Sequence, residues 1–135
     1  MISADVTLRT QFYDIDPMNI VWHGNYARYL EEARAALMSE IGYGYAEMRA
    51  SGFAWPIVEM WIKYVQPLKL GQTFIMRASL KEYENRIRIE YRGSDAETGA
   101  VLTKARTVQL AVSIATGELH FESPRQLIDC VRSRL

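Results

Sequence analysis

The densest cluster of chemically capable side chains in the chain is Tyr13-Asp14-Ile15-Asp16-Pro17-Met18-Asn19-Ile20-Val21-Trp22-His23-Gly24-Asn25-Tyr26. It holds two aspartates, one of the chain's 2 histidines and two asparagines. Aspartate, proline and asparagine each favour turns, so Asp14 to Asn19 reads as a loop. A helix pattern begins directly behind it. The first turn of a helix has backbone N–H groups without helical partners and a partial positive charge, which suits a developing oxyanion. A carboxylate just upstream can attack a carbonyl held there, or activate a water. The plain alternative is that Asp-x-Asp serves only as a turn or capping device, and that the histidine caps or packs.

The elements that must position this loop follow from periodicity. Val6 to Phe12 alternates as a strand, with Val6, Leu8, Thr10 and Phe12 on one face. The helix is expected over Asn25 to Ile41, with Tyr26, Tyr29, Leu30, Ala33, Leu37 and Ile41 on one side. On its outside Arg28 is spaced to pair with Glu32, and Glu31 with Arg34. Gly42 and Gly44 end it, and a short helix from Tyr45 to Ala50 follows. The period then switches to two. Trp55 to Val65, Phe74 to Leu80, Ile87 to Tyr91 and a long Val101 to Ile114 read as strands, with turns at Pro67–Gly71, Glu84-Asn85 and Gly93–Gly99. Ser123-Pro124-Arg125-Gln126 reads as a helix start, Ser123 capping and Gln126 closing a capping box. One long apolar helix and a run of antiparallel strands predict an α+β fold with a sheet of about five strands curled around the helix. An exposed sheet edge invites a second copy.

Whole-chain features limit the function classes. The 135 residues point to one domain, 1–135, large enough to bury a core without a metal or disulfide. Lysine plus arginine (16) balance aspartate plus glutamate (16), which argues against a nucleic-acid binder. The single cysteine, Cys130, excludes an internal disulfide and suits a reducing compartment. Met1 runs straight into Ile2-Ser3-Ala4-Asp5, with no basic segment followed by an apolar one, which reads as no signal peptide. No apolar run approaches the roughly 20 residues of a membrane span. A cytoplasmic location is therefore expected. Neither metal-ligand spacing nor a glycine-rich phosphate loop is present, so no cofactor is expected. Cys130 and His120 look incidental.

The segment from Tyr13 to Arg34, ending Ala27-Arg28-Tyr29-Leu30-Glu31-Glu32-Ala33-Arg34, resembles the signature of the 4-hydroxybenzoyl-CoA thioesterase family. The resemblance implies the hotdog fold, a curved antiparallel sheet around a central helix, in a homodimer or a homotetramer built of dimers. It implies an acyl thioesterase acting on a coenzyme A or acyl-carrier-protein thioester. Asp16 matches the family's catalytic aspartate, as nucleophile or general base. His23 matches a histidine of many members that assists. Backbone N–H groups around His23 to Asn25 would hold the oxyanion, and Asn19, Val21, Trp22, Gly24, Asn25 and Tyr26 would shape the substrate site. Small residues commonly stand where this chain has Met18 and Asn19, so the benzoyl substrate does not carry over. Another branch of these enzymes places its carboxylate on the central helix. Glu31 and Glu32 are the candidates for that, and solvent-facing pairing with Arg28 and Arg34 is the preferred reading of both.

Acyl-pocket walls are available in Trp22, Tyr43, Tyr45, Trp55, Met60 and Trp61, although such residues more often build a core or an interface. Cations for coenzyme A phosphates are available in Arg86, Arg88, Arg92, Lys104 and Arg106, although a charged strand face is usually only solvated. Two rival functions remain at this stage. One is a hotdog hydratase or dehydratase pairing His23 with Asp16. The other is a non-catalytic acyl-binding module.

Overall fold

The computed structural model describes residues 2–135. Strand β1 (Ser3–Arg9) leads through a 3-10 turn (Phe12–Asp14) and a loop into a second 3-10 turn (His23–Asn25) and helix α1 (Tyr26–Ile41). Helix α2 (Tyr45–Ala50) and strands β2 (Phe53–Ala54), β3 (Ile57–Tyr64), β4 (Thr73–Glu82), β5 (Ile87–Asp95), β6 (Val101–Gln109), β7 (Ala111–Ser113) and β8 (Leu119–His120) follow, before helix α3 (Arg125–Arg132). The main sheet has five antiparallel strands in the order β1-β4-β5-β6-β3, and β2, β7 and β8 form a small second sheet.

Helix α1 lies across β1, β4 and β5. Its period of 3.6 puts Tyr26, Tyr29, Leu30, Ala33, Leu37 and Ile41 on the buried side, as the sequence predicts. Ala33, with no accessible surface, leaves room for the helix to sit close on the sheet. Alternation along β4 and β5 sends Phe74, Met76, Ala78, Leu80, Ile87 and Ile89 to the same core. Burying each larger side chain contributes about 1.5–3 kcal/mol before chain entropy is opposed. The helix stops at Gly42, whose left-handed φ of 86° lets its N–H and that of Tyr43 close on the Met38 carbonyl. Leu127 and Val131 of α3 are fully buried.

Several expectations from the pattern are corrected. The first strand ends at Arg9, and Phe12 is 77% exposed instead of facing the core. The chain has already turned there, with the Asp14 N–H bonded to the Gln11 carbonyl. The long final strand is two strands, broken at Leu110, because β7 leaves the main sheet to pair with β2. Gly93 lies within β5, and the turn follows Asp95. Ser123 does not cap α3; Pro124 holds that position, and the Ser123 hydroxyl donates to the Tyr83 carbonyl. Arg28 pairs with Asp14 rather than Glu32, whereas Glu31 does pair with Arg34. Arg86 lies in the turn before β5, paired with Glu82.

Candidate active site

The loop between β1 and α1 is pinched by an antiparallel bridge between Ile15 and Val21. On one side of the bridge the Asp16 N–H donates to the Ile20 carbonyl (2.8 Å); on the other the Trp22 N–H donates to the Asp14 carbonyl (2.9 Å). Between them Pro17-Met18-Asn19 reverse the chain, with Asn19 at φ 67°, a conformation asparagine tolerates better than most residues. Asp16 organises this reversal. Its Oδ1 accepts the Met18 N–H (2.8 Å) and its carbonyl accepts the Asn19 N–H (2.9 Å). Oδ2 has no protein partner among the described residues and is available for chemistry. Asp16 is half-buried, held by its own turn and still open to a ligand.

Asp14, two residues earlier, is the structural member of the pair. It is 2% exposed. Its carboxylate accepts the Gln11 N–H (2.9 Å) and the Tyr29 hydroxyl (3.0 Å), and pairs with the Arg28 guanidinium. Its carbonyl also accepts the Asn25 amide side chain (2.9 Å). The loop is thereby tied to the first turns of α1 at three points, Asn25, Arg28 and Tyr29. Burial first, then the bond to Asp14, push the Tyr29 hydroxyl well above its ordinary pKa and keep it a donor. The sequence offered Asp14 and Asp16 as equivalent turn formers. The signal that separates them is Arg28 and Tyr29 on the facing helix turn, where the helical spacing pairs Arg28 with Glu32 and places Tyr29 only on the apolar face.

The helix start supplies donors. The Asn25 N–H is spent on the Trp22 carbonyl (2.9 Å) and the Tyr26 N–H on the His23 carbonyl. The His23 and Gly24 N–H groups meet no protein acceptor among the described residues. The expected donor set, His23 to Asn25, therefore narrows to those two. A Cβ on Gly24 would lie 2.3 Å from the Trp22 ring, so the indole packs directly over this backbone.

The remaining expected site residues divide. Trp22 and His23 are exposed, their rings 5.2 Å apart. No hydrogen bond or ion pair joins the His23 imidazole to Asp16 among the described residues. Asn19 is exposed beside Asp16. Val21 and Tyr26 are buried: the Val21 N–H donates to the Leu68 carbonyl (2.9 Å), and the Tyr26 hydroxyl accepts the Leu68 N–H (3.2 Å). Asn25 is held by Asp14. These three position the loop. Of the aromatic wall candidates, Tyr43 and Trp55 are core, bonded to one another at 3.2 Å. Tyr45 is exposed and donates to Glu31.

The loop and the turns that flank it expose apolar side chains. Phe12, Tyr13, Met18 and Trp22 are all exposed. The adjoining edge strand β3 exposes Val58, Met60, Trp61 and Tyr64, and the Tyr64 hydroxyl donates to the His23 carbonyl (3.0 Å). An open depression of about 470 Å³ lies elsewhere, on the outer face of the sheet. Asp16 is not part of its lining.

A five-stranded antiparallel sheet folded over one long helix, with a carboxylate-bearing loop at the helix start, defines the hotdog class of protein. Within that class the chain belongs to the thioesterase-like superfamily, whose family model matches residues 10–127. It is, as a member, a thioester hydrolase. A putative esterase of Synechocystis is 27% identical over 117 residues, covering 85% of this chain and 70% of the relative. A putative acyl-CoA thioesterase of Bacillus subtilis is 32% identical over 76 residues, 56% of this chain and 55% of the relative. Among solved structures, an aspartate-to-asparagine mutant of 4-hydroxybenzoyl CoA thioesterase, complexed with 4-hydroxybenzoyl CoA, shares the fold with a TM-score of 0.83. It is 20% identical, covering 97% of this chain and 99% of that one. Among the described residues, no helix is long and apolar enough to cross a membrane.

Proposed function

We propose that the chain hydrolyses an acyl thioester, carried on coenzyme A or on an acyl carrier protein, at Asp16. The observation that carries this reading is the fixed Asp16 carboxylate, one oxygen held by the Met18 N–H and the other unpartnered, on a loop pinned to a helix start with two unspent N–H groups. The His23 and Gly24 N–H groups polarise the thioester carbonyl and take up the charge that grows on its oxygen. Asp16 either attacks the carbonyl carbon, giving an acyl-aspartyl anhydride and free thiol, or removes a proton from a water that attacks instead. The His23 side chain stands at the open side of the helix start and assists by orienting the thioester. The names of the Bacillus relative and of the mutant complex, both concerned with CoA thioesters, support the substrate class.

The site is completed by a second copy. An edge strand that exposes Val58, Met60, Trp61 and Tyr64 is a surface ready for pairing, and the catalytic loop abuts it through Tyr64 and His23. A homodimer joined through β3 encloses the apolar surroundings of Asp16; pairing of two dimers gives the tetramer. The cytoplasm, where acyl thioesters are made and the lone Cys130 stays reduced, is the proposed location.

The test is thiol release from a panel of saturated and 2-enoyl thioesters on both carriers. Thiol release from saturated substrates is expected. Hydration of enoyl substrates without thiol release moves the assignment to a hydratase, and binding without any turnover moves it to an acyl-binding module. Repeated turnover in ¹⁸O-water then tests the anhydride route, since only attack of water on the aspartyl carbonyl of an anhydride leaves label in Asp16.

A further inference from the structure

The sheet face turned away from α1 carries a feature that thioester hydrolysis at Asp16 leaves unused. Strand alternation points Lys63, Lys104, Arg92 and Arg77 outward, and the pairing register sets them in one line. Lys63 faces Lys104 across β3 and β6, Lys104 faces Arg92 across β6 and β5, and Arg92 faces Arg77 across β5 and β4. With strands about 4.8 Å apart, the row runs about 14 Å. Like charges directly opposite one another destabilise a sheet, so three such pairs in succession give the fold nothing. Only the far end is neutralised, by Asp5, which accepts two bonds from Arg77 (2.8 and 3.1 Å). Lys63, Lys104 and Arg92 make no ion pair among the described residues. The chain as a whole has no net charge, so this row is a local concentration. Arg77, Arg92 and Lys104 line the open depression of about 470 Å³, and beside them Arg106 lies over the Trp61 ring at 4.7 Å.

We infer that this row is the docking site for an acidic helix on the protein that delivers the acyl thioester. The inference rests on the thioesterase reading and names the carrier: a protein, not coenzyme A alone. An α-helix rises about 5.4 Å per turn, close to the strand spacing, so a helix laid across β3, β6, β5 and β4 presents one carboxylate per turn to one cation per strand. The compact phosphates of coenzyme A engage one or two of these cations and leave the others opposed. A second copy docking by the same face brings like charge against like. The near end of the row is also in the right place. Lys63 adjoins Tyr64 in β3, whose side chain turns to the opposite face and bonds the His23 carbonyl, so the pantetheine arm of a carrier seated on the row reaches the catalytic loop by passing round the Tyr64 end of β3.

The test uses the double reversal Arg92→Glu/Lys104→Glu. It turns the two outer like-charge pairs of the row into attractive ones and leaves one repulsive pair, in the middle, where there were three, so folding is retained. The same acyl group is presented on acyl carrier protein and on coenzyme A, at low and high salt. For the carrier-protein substrate kcat/KM is expected to fall at least about tenfold, through KM, with loss of the wild-type salt dependence; for the CoA substrate it is expected to stay within about twofold. Reversing acidic residues of the carrier's helix to lysine should restore the rate of the double variant. Equal loss on both substrates assigns the row to coenzyme A phosphates and overturns the inference, as does no loss on either. A titration of unacylated carrier protein, followed by fluorescence anisotropy, is independent of turnover. If no thioester is hydrolysed, the thioesterase reading fails; binding that the double reversal abolishes still upholds the docking row. An RNA oligonucleotide that displaces the carrier at equal concentration, or a changed sedimentation coefficient of the double variant alone, also overturns it.

Discussion

Replacing Asp14 isolates the scaffold from the chemistry. In Asp14→Ala three donors lose their acceptor: the Gln11 N–H, the Tyr29 hydroxyl and the Arg28 guanidinium. They do not weigh equally. The Arg28 side chain is 58% exposed and regains water at little cost, so its pair contributes no more than about 1 kcal/mol. Tyr29 is 6% exposed, and a buried hydroxyl without an acceptor costs about 1–3 kcal/mol. Adding the lost Gln11 bond gives about 3 kcal/mol for Asp14→Ala. Tyr29→Phe, which leaves Asp14 its other two partners, should cost about 1 kcal/mol, and Arg28→Ala less than that. Urea unfolding, with equal m-values as the check on two-state behaviour, measures all three. A drop in Tm on the order of 10 °C accompanies the largest. Because Asp14 acts by holding the loop, kcat should fall in step with the order Asp14→Ala, Tyr29→Phe, Arg28→Ala. If Arg28→Ala costs as much as Asp14→Ala, or Asp14→Ala unfolds like the wild type, the assignment of Asp14 as the buried anchor is wrong.

Three further outcomes follow from the same structure. The Thr98 N–H, then the Gln72 side chain and the Glu97 N–H, hold Asp95 at a pKa of about 2 against an ordinary 3.8. Its stabilising effect is present above pH ~4 and is lost as pH falls toward 2, so Asp95→Asn should flatten the thermal stability profile in that window and leave it unchanged in shape at neutral pH. Gly24→Ala should push the half-exposed Trp22 indole aside, shifting its fluorescence and lowering kcat while costing about 1 kcal/mol or less of stability, and adding Trp22→Ala should recover much of the rate. Val58→Lys/Met60→Lys should convert a dimer to monomer in sedimentation and reduce activity most in dilute solution; an unchanged dimer would place the interface elsewhere.

The sequence conveyed the part of the site that local chemistry dictates. Asp-x-Asp-Pro-x-Asn before a helical period marked the loop, and the bounds of α1 were legible to within a residue because its apolar face and Gly42 are local signals. The alternation of β4 and β5 was equally plain. What failed depended on contacts distant in the chain. Phe12 continues the alternation of β1 by coincidence, because the turn that carries it outward is set by the anchoring of Asp14. The break at Leu110 has no turn residue to announce it; apolar character continues through it while β7 changes sheets. Ser123 has the right type and spacing for a cap, but its hydroxyl is taken by the Tyr83 carbonyl, 40 residues away. The division of labour between Asp14 and Asp16 needed Arg28 and Tyr29 in place, 14 and 15 residues further on. The row of opposed cations exists only once the register of four strands is known.

The most direct measurement is the turnover of Asp16→Asn on the best thioester of the panel, made beside a urea unfolding curve of the same preparation. Asparagine keeps an oxygen for the Met18 N–H, so the loop and the stability should be preserved to within about 0.5 kcal/mol. With neither a nucleophile nor a base at that position, kcat should fall by about 10²–10⁴-fold with KM little changed. A variant that is folded and turns over as fast as the wild type would contradict the placing of the reaction at Asp16.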